Sequence, residues 1–264
     1  MTTHEYETIE VAADGAVGRV TLNRPEKLNP LSTTTLLELA DAFTALDRTD
    51  GLKVVIVSGR GRAFSAGADL SFFGSAEANQ GLSPRAAADA GRLMVEALER
   101  LGSVTIAALR GHCVGGGLVL AAGCDLRVAA DDTRFSIPEV DLGIPLAWGG
   151  IPRLVREIGP AMTRELVMTC RPFGADEAKA LGFLNRVVPA SDLDAEVESM
   201  ASDLAEKSML TLQATKRHVN AVLESMSGAV RNWNDADSLV AALHDDESRA
   251  VAARYLERVR NPRN

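Results

Sequence analysis

The sequence predicts an α/β fold ending in an all-helical region, and three patterns carry that prediction. Residues 53–58 and 104–109 are short apolar runs, Val54-Val55-Ile56-Val57 in the first and Val104-Thr105-Ile106-Ala107-Ala108-Leu109 in the second, of the kind that form strands buried on both faces. Each runs directly into a glycine-rich loop, residues 59–69 and 110–117. Beyond residue 200 the mixed character gives way to helical periodicity throughout. The chain therefore divides into a core, residues 1–200, and a C-terminal helical region, residues 201–264.

In chain order the pattern is strand, strand, helix, repeated. Residues 8–12 and 17–22 read as a hairpin turned at Asp14-Gly15. A loop punctuated by Pro25 and Pro30 follows, and Ser32 can cap a helix whose apolar residues Leu36, Leu39, Ala40, Phe43 and Leu46 recur at helical spacing. Residues 77–83 read as a mobile surface loop and 86–101 as an amphipathic helix. Residues 110–117 read as loop and 118–122 as helix. Residues 125–129 and 183–188 are further strand candidates, and residues 221–223 and 251–259 belong to terminal helices.

Composition narrows the class. A chain of 264 residues, 46% hydrophobic and 24% charged, has the balance of a globular protein. It buries enough surface to need neither disulfides nor a metal for its core. A net charge of −8 argues against nucleic-acid binding. Charge is uneven, however: residues 249–264 hold five arginines against one acid, Glu257. Cys113, Cys124 and Cys170 are odd in number, widely spaced and set among apolar residues, as expected of reduced thiols in a cytoplasmic protein. The polar start Met1-Thr2-Thr3-His4-Glu5 does not read as a signal peptide, and no apolar run approaches a membrane span.

The glycine loops carry the chemistry. A helix start offers backbone N–H groups without intrahelical acceptors, and glycine lets a ligand oxygen approach them. Such a site suits a phosphate or an oxygen that gains negative charge during reaction. The dinucleotide fingerprint fails, because the third position counted from Gly111 is Cys113, and no Gly-Lys pair exists for a phosphate loop. A bare glycine triplet can also serve close helix packing alone. Two strand–loop–helix units, with Ala68 and Gly116 each opening a helix, favour two N–H groups converging on one carbonyl oxygen.

Six segments then establish a resemblance. They are Leu22-Asn23-Arg24-Pro25-Glu26-Lys27-Leu28-Asn29-Pro30-Leu31, Ala63-Phe64-Ser65-Ala66-Gly67-Ala68-Asp69-Leu70, and Gly111-His112-Cys113-Val114-Gly115-Gly116-Gly117. After them come Cys124-Asp125-Leu126-Arg127-Val128-Ala129, Phe135-Ser136-Ile137-Pro138-Glu139-Val140-Asp141-Leu142-Gly143-Ile144, and Gly149-Gly150-Ile151-Pro152-Arg153-Leu154. In this order and spacing the chain resembles the crotonase (enoyl-CoA hydratase/isomerase) superfamily over nearly its whole length.

The resemblance implies a spiral of ββα repeats with a C-terminal helical region used in trimerisation, trimers often pairing into hexamers. It implies acyl-CoA thioester substrates, with coenzyme A entering as part of the substrate, no metal and no redox cofactor. The thioester oxygen would be held by the N–H groups of Ala68 and Gly116. Arg24, Lys27 and Leu28, with the backbone around Ala66, match the region that binds coenzyme A, and the arginine-rich end is a further contact. Glu139 matches the second of two glutamates in the family's hydratases, while the first position is Val119. A single base can move a proton between C2 and C4 of an enoyl chain, so double-bond isomerisation is the leading reading. Hydration with one glutamate, another enolate reaction, and a non-catalytic acyl-CoA-binding protein remain alternatives. Burial of Glu139 in an acyl pocket would raise its pKa and suit a base. Trp148 and residues 77–83 are candidates for shaping the acyl pocket. His112, Ser65, Asp69 and Asp141 read as structural or solvated, Asp69 as a helix cap.

Overall fold

In a computed structural model of the chain the described residues are 5–69, 80–227 and 234–260. The buried runs form a six-stranded sheet: β1 (Ile9–Asp14), β2 (Val17–Leu22), β3 (Val54–Gly59), β4 (Val104–Leu109), β6 (Leu126–Ala130) and β9 (Arg186–Val188), adjacent in that order. β1 and β2 pair antiparallel, and every later neighbour is parallel. A second sheet joins β5 (His112–Val114), β7 (Arg134–Ser136) and β8 (Phe173–Gly174). The helices are α1 (Thr33–Asp47), α2 (Pro84–Arg100), α3 (Gly116–Gly123), α4 (Gly150–Thr169), α5 (Ala175–Ala180), α6 (Leu193–Ala205), α7 (Met209–Ser227), α8 (Asp235–His244) and α9 (Asp246–Arg260).

The apolar strands are continuous because both faces of the large sheet are covered. Val55, Val57, Ala107 and Leu109 join the main core with Phe43 of α1, Met94 and Leu98 of α2, and Leu118 of α3. The alternate residues Val54, Ile56, Ile106, Ala108 and Val128 pack against Leu193, Val197 and Met200 of α6. The division expected at residue 200 falls inside α6.

Local signals act where the sequence places them, with some shifts. Ser32 caps α1, its Oγ accepting the Thr35 N–H at 3.2 Å. The hairpin turns at Gly15, whose φ is +56°. Of the loop expected at residues 77–83, residues 77–79 lie outside the described part, and Ser83 instead caps α2. Residues 112–114, expected as loop, form β5, because Cys113 is buried and pairs with Phe135 of β7. The strand expected at 183–188 shortens to Arg186–Val188, since the Phe183 N–H bonds back to Ala178 and closes α5. α4, α5, β7 and β8 have no counterpart among the elements expected from the sequence. α4 bends where Gly159 takes φ +75° ahead of Pro160.

Gly111 turns the chain from β4 into β5 at φ +58°, and a methyl group there would overlap the backbone oxygen of Arg62. Gly111→Ala is therefore expected to lose at least about 2 kcal/mol of stability in urea denaturation. Gly15→Ala has the same sign of φ but open space around it, and is expected to lose only about 1 kcal/mol.

Candidate active site

Two loops are stitched together at the ends of β3 and β4. Ser65 N–H donates to the His112 carbonyl at 3.0 Å, and Val114 N–H to the Ser65 carbonyl at 3.0 Å. Asn29, fully buried, donates through Nδ2 to the carbonyls of Arg60 and Ala63, both at 2.9 Å. Ser65 Oγ donates to the Asn29 carbonyl and accepts the Gly67 N–H. These two side chains satisfy backbone groups that the sharp loop would otherwise bury unpaired.

The helix expected after Ala68 falls on residues 70–79, outside the described part, while Ala68 itself has a defined backbone pairing. It pairs with Leu31 in a parallel bridge, with Leu31 N–H donating to the Gly67 carbonyl and Asp69 N–H to the Leu31 carbonyl. In that pattern the intervening Ala68 N–H points away from Leu31. Gly116 is the first residue of α3, so its N–H has no intrahelical acceptor. The loops lie side by side: a Cβ on Gly67 would stand 3.7 Å from the Gly116 nitrogen. Both Ala68 and Gly116 line one cleft, and neither N–H meets a backbone acceptor among the described residues.

Each glycine of the triplet makes room for a different neighbour. A side chain on Gly115 would overlap the Glu139 carboxylate, one on Gly116 the Trp148 ring, and one on Gly117 would come 2.7 Å from Ser65 Cβ. Gly115 also takes φ +48°.

The cleft encloses about 580 Å³ of empty space, part of it open to solvent. Its walls come from Leu31 and Leu36, from Ala87 and Ala88 of α2, from residues 144–148, and from Leu239 of α8. Among the described lining residues Glu139 is the one titratable side chain. It stands in a turn, 8% exposed, and its Oε2 meets no hydrogen-bond donor among the described residues. Burial pushes its carboxyl up to about 7, a rise that a backbone hydrogen bond only partly offsets. Val119 and Leu146 line the same cleft and both come close to Gly150, so the wall they form is apolar. Trp148 lines the same cleft.

The residues expected at coenzyme A lie beside the cleft rather than in its wall. Ala66 N–H donates to the Leu28 carbonyl at 2.8 Å, and Leu28 sits at φ +63°, closing the turn that carries Arg24 and Lys27. Lys27 is exposed. Arg24 is paired with Asp69 at 3.1 Å, and the helix that Asp69 is expected to cap lies outside the described residues. His112 is exposed on β5. Asp141 is half-exposed, not on a helix but in the turn with Glu139, and faces Arg258 of α9 at 3.8 Å. Burial raises the Cys113 and Cys124 thiols, the latter to about 12, so both stay protonated. No metal-binding group of His, Cys, Asp or Glu occurs among the described residues. Sequence reasoning missed Asn29, whose only signal was its place between Leu28 and Pro30 in a loop that must turn sharply.

This layering of parallel sheet and helices, with paired glycine loops at an apolar cleft, defines a protein of the crotonase superfamily. The enoyl-CoA hydratase/isomerase family model matches residues 12–263, and the chain belongs to that family, whose members named below are enzymes of hydratase or isomerase type. It is similar to a probable enoyl-CoA hydratase of Mycobacterium bovis, 37% identical over 83% of this chain and 84% of that one. It is 34% identical to a peroxisomal Δ(3,5)-Δ(2,4)-dienoyl-CoA isomerase of Arabidopsis thaliana, over 98% of each. The crystal structure of an enoyl-CoA hydratase/isomerase from Mycobacterium paratuberculosis superposes with a TM-score of 0.85 at 27% identity, covering 95% of this chain and all of that one.

A buried carboxyl with a raised pKa costs stability once it must ionise. Between the ordinary glutamate value and about 7 the folded state binds the extra proton, so stability falls as pH rises through that window. Glu139→Gln is expected to be more stable than the parent at pH 8 by up to about 3 kcal/mol, and equal to it or less stable at pH 4. Denaturation curves of both proteins at the two pH values check the sign.

Proposed function

We propose that the protein isomerises the double bond of an enoyl-CoA thioester, with Glu139 as its sole base. The observation that carries this is that Glu139 is the one titratable side chain among the described lining residues of the cleft, with Val119 lining it where the family's hydratases hold the first of their two glutamates. Hydration needs a water activated on one side and a proton returned on another, work usually shared by two carboxylates. Isomerisation needs one group that takes a proton and gives it back. In the proposed sequence the Glu139 carboxylate removes a proton from C2 of a 3-enoyl thioester. The electron pair moves onto the thioester oxygen, giving a dienolate held by the Ala68 and Gly116 N–H groups. Glu139, now protonated, returns the proton to C4, and the double bond settles between C2 and C3.

The magnitudes agree with this division of labour. Each fixed N–H donor is worth about 3 kcal/mol when charge develops on the oxygen. A base near neutrality is better matched to carbon acid chemistry than an ordinary glutamate. The same reading places coenzyme A along residues 24–28 and 66, with Arg24 exchanging Asp69 for a phosphate. It needs no metal or redox cofactor. A homotrimer built through the C-terminal helices, or a hexamer of two, completes the proposal. So does a cytoplasmic setting, consistent with three buried cysteines that form no disulfide. No helix among the described residues is long and apolar enough to cross a membrane.

A trans-3-enoyl-CoA is expected to gain conjugated 2-enoyl absorbance with the parent protein and to lose about three orders of magnitude or more of that rate in Glu139→Gln. Since the carboxylate is the active form, kcat/KM should rise tenfold per pH unit below about 7 and level off above it. Formation of a 3-hydroxyacyl thioester as the main product from a 2-enoyl-CoA would establish hydration instead.

A further inference from the structure

The ring of Trp148 fills a gap that two helices leave open for it. On α2, a methyl group at Gly91 would overlap the indole, and on α3 a methyl group at Gly116 would overlap its six-membered edge. Any side chain at either position would push the ring out, so the two glycines make one slot. The backbone under the ring is fixed as well. Trp148 sits at φ +59° and Gly149 at φ +69°, a turn that a bulky residue adopts only under constraint. Arg153, 1% exposed, donates to the carbonyls of both residues at 3.2 and 2.9 Å, and is itself clamped by Glu99 of α2. From the other side the Asp235 carboxylate of α8 accepts the Gly149 N–H at 2.7 Å. The ring is thus a built wall at the cleft, bordering Gly116, rather than a side chain resting on the surface.

We propose that Trp148 is the chain-length stop of the acyl cleft: its indole closes the slot between α2 and α3, so the protein selects short acyl thioesters. The proposal rests on the acyl-CoA reading above but not on which reaction follows. A chain extending from a thioester at Ala68 and Gly116 would enter a cleft whose lining includes Val119, Leu146 and the indole. Without the ring, the space between Gly91 and Gly116 continues the apolar cleft into the helix interface. Extra methylenes would then be buried instead of excluded.

The test is isothermal titration with saturated acyl-CoA thioesters of increasing length, which bind without turnover. In the parent, affinity is expected to rise with length and then fall beyond a limiting chain. In Trp148→Gly, a residue suited to the positive φ, affinity should keep rising past that limit by about fourfold per added methylene. Gly91→Ala pushes the ring toward the cleft and is expected to shorten the limit, which keeps the proposal testable should Trp148→Gly not fold. The double variant Gly91→Ala/Trp148→Gly should regain the longer limit, an outcome that a merely structural tryptophan would not produce. Identical length profiles in the parent and the folded variants would overturn the proposal and leave the acyl-CoA reading standing. No binding of any acyl-CoA by the parent would overturn both.

Discussion

Three consecutive residues without side chains set the geometry of everything around the cleft. Gly115 admits the Glu139 carboxylate, Gly116 the Trp148 ring and Gly117 the Ser65 methylene, each where a Cβ would overlap that neighbour. A base, a wall and a loop anchor therefore meet at one helix start, and the N–H of the middle residue stays open between them. Close packing makes this arrangement indivisible: moving any one neighbour by the width of a methyl group forces the others to follow.

The same compression explains the electrostatics. Glu139 lies against the Gly115 backbone and is buried, so its carboxylate loses water while Oε2 meets no donor among the described residues. A folded protein tolerates that cost only where the rest of the structure supports it. Here the support comes from far along the chain. Asn29 and Ser65 lock the β3 loop, Arg153 and Glu99 brace the turn at 148–150, and α8 supplies Asp235 and Leu239. α9 packs its Ser248 backbone on Gly143 beside the Glu139 turn. The C-terminal helices of this chain thus help build its own cleft.

Much of this was legible in the sequence because its causes are local. The doubly buried strands announce themselves as unbroken apolar runs, Ser32 marks the start of α1, and the glycine loops mark where backbone must approach backbone. Glu139, Gly116, Ala68 and Trp148 were singled out and do line one cleft. What escaped depends on partners distant in the chain. β5 is a strand only because β7 returns to pair with it. Asn29 matters through carbonyls more than thirty residues away, and Ala68 is held by a bridge to Leu31. The ion pair of Asp69 with Arg24 follows from tertiary placement alone.

The central claim is that one buried carboxylate carries the proton from C2 to C4. It is tested most directly with a 3-enoyl-CoA bearing deuterium at C2, followed by mass spectrometry and NMR of the product from a single turnover. A base shielded from water and working alone should deliver part of that deuterium to C4 of the 2-enoyl product. Recovery of a 3-hydroxyacyl thioester, or of a 2-enoyl product with no label at C4 and full solvent hydrogen there, would contradict the account.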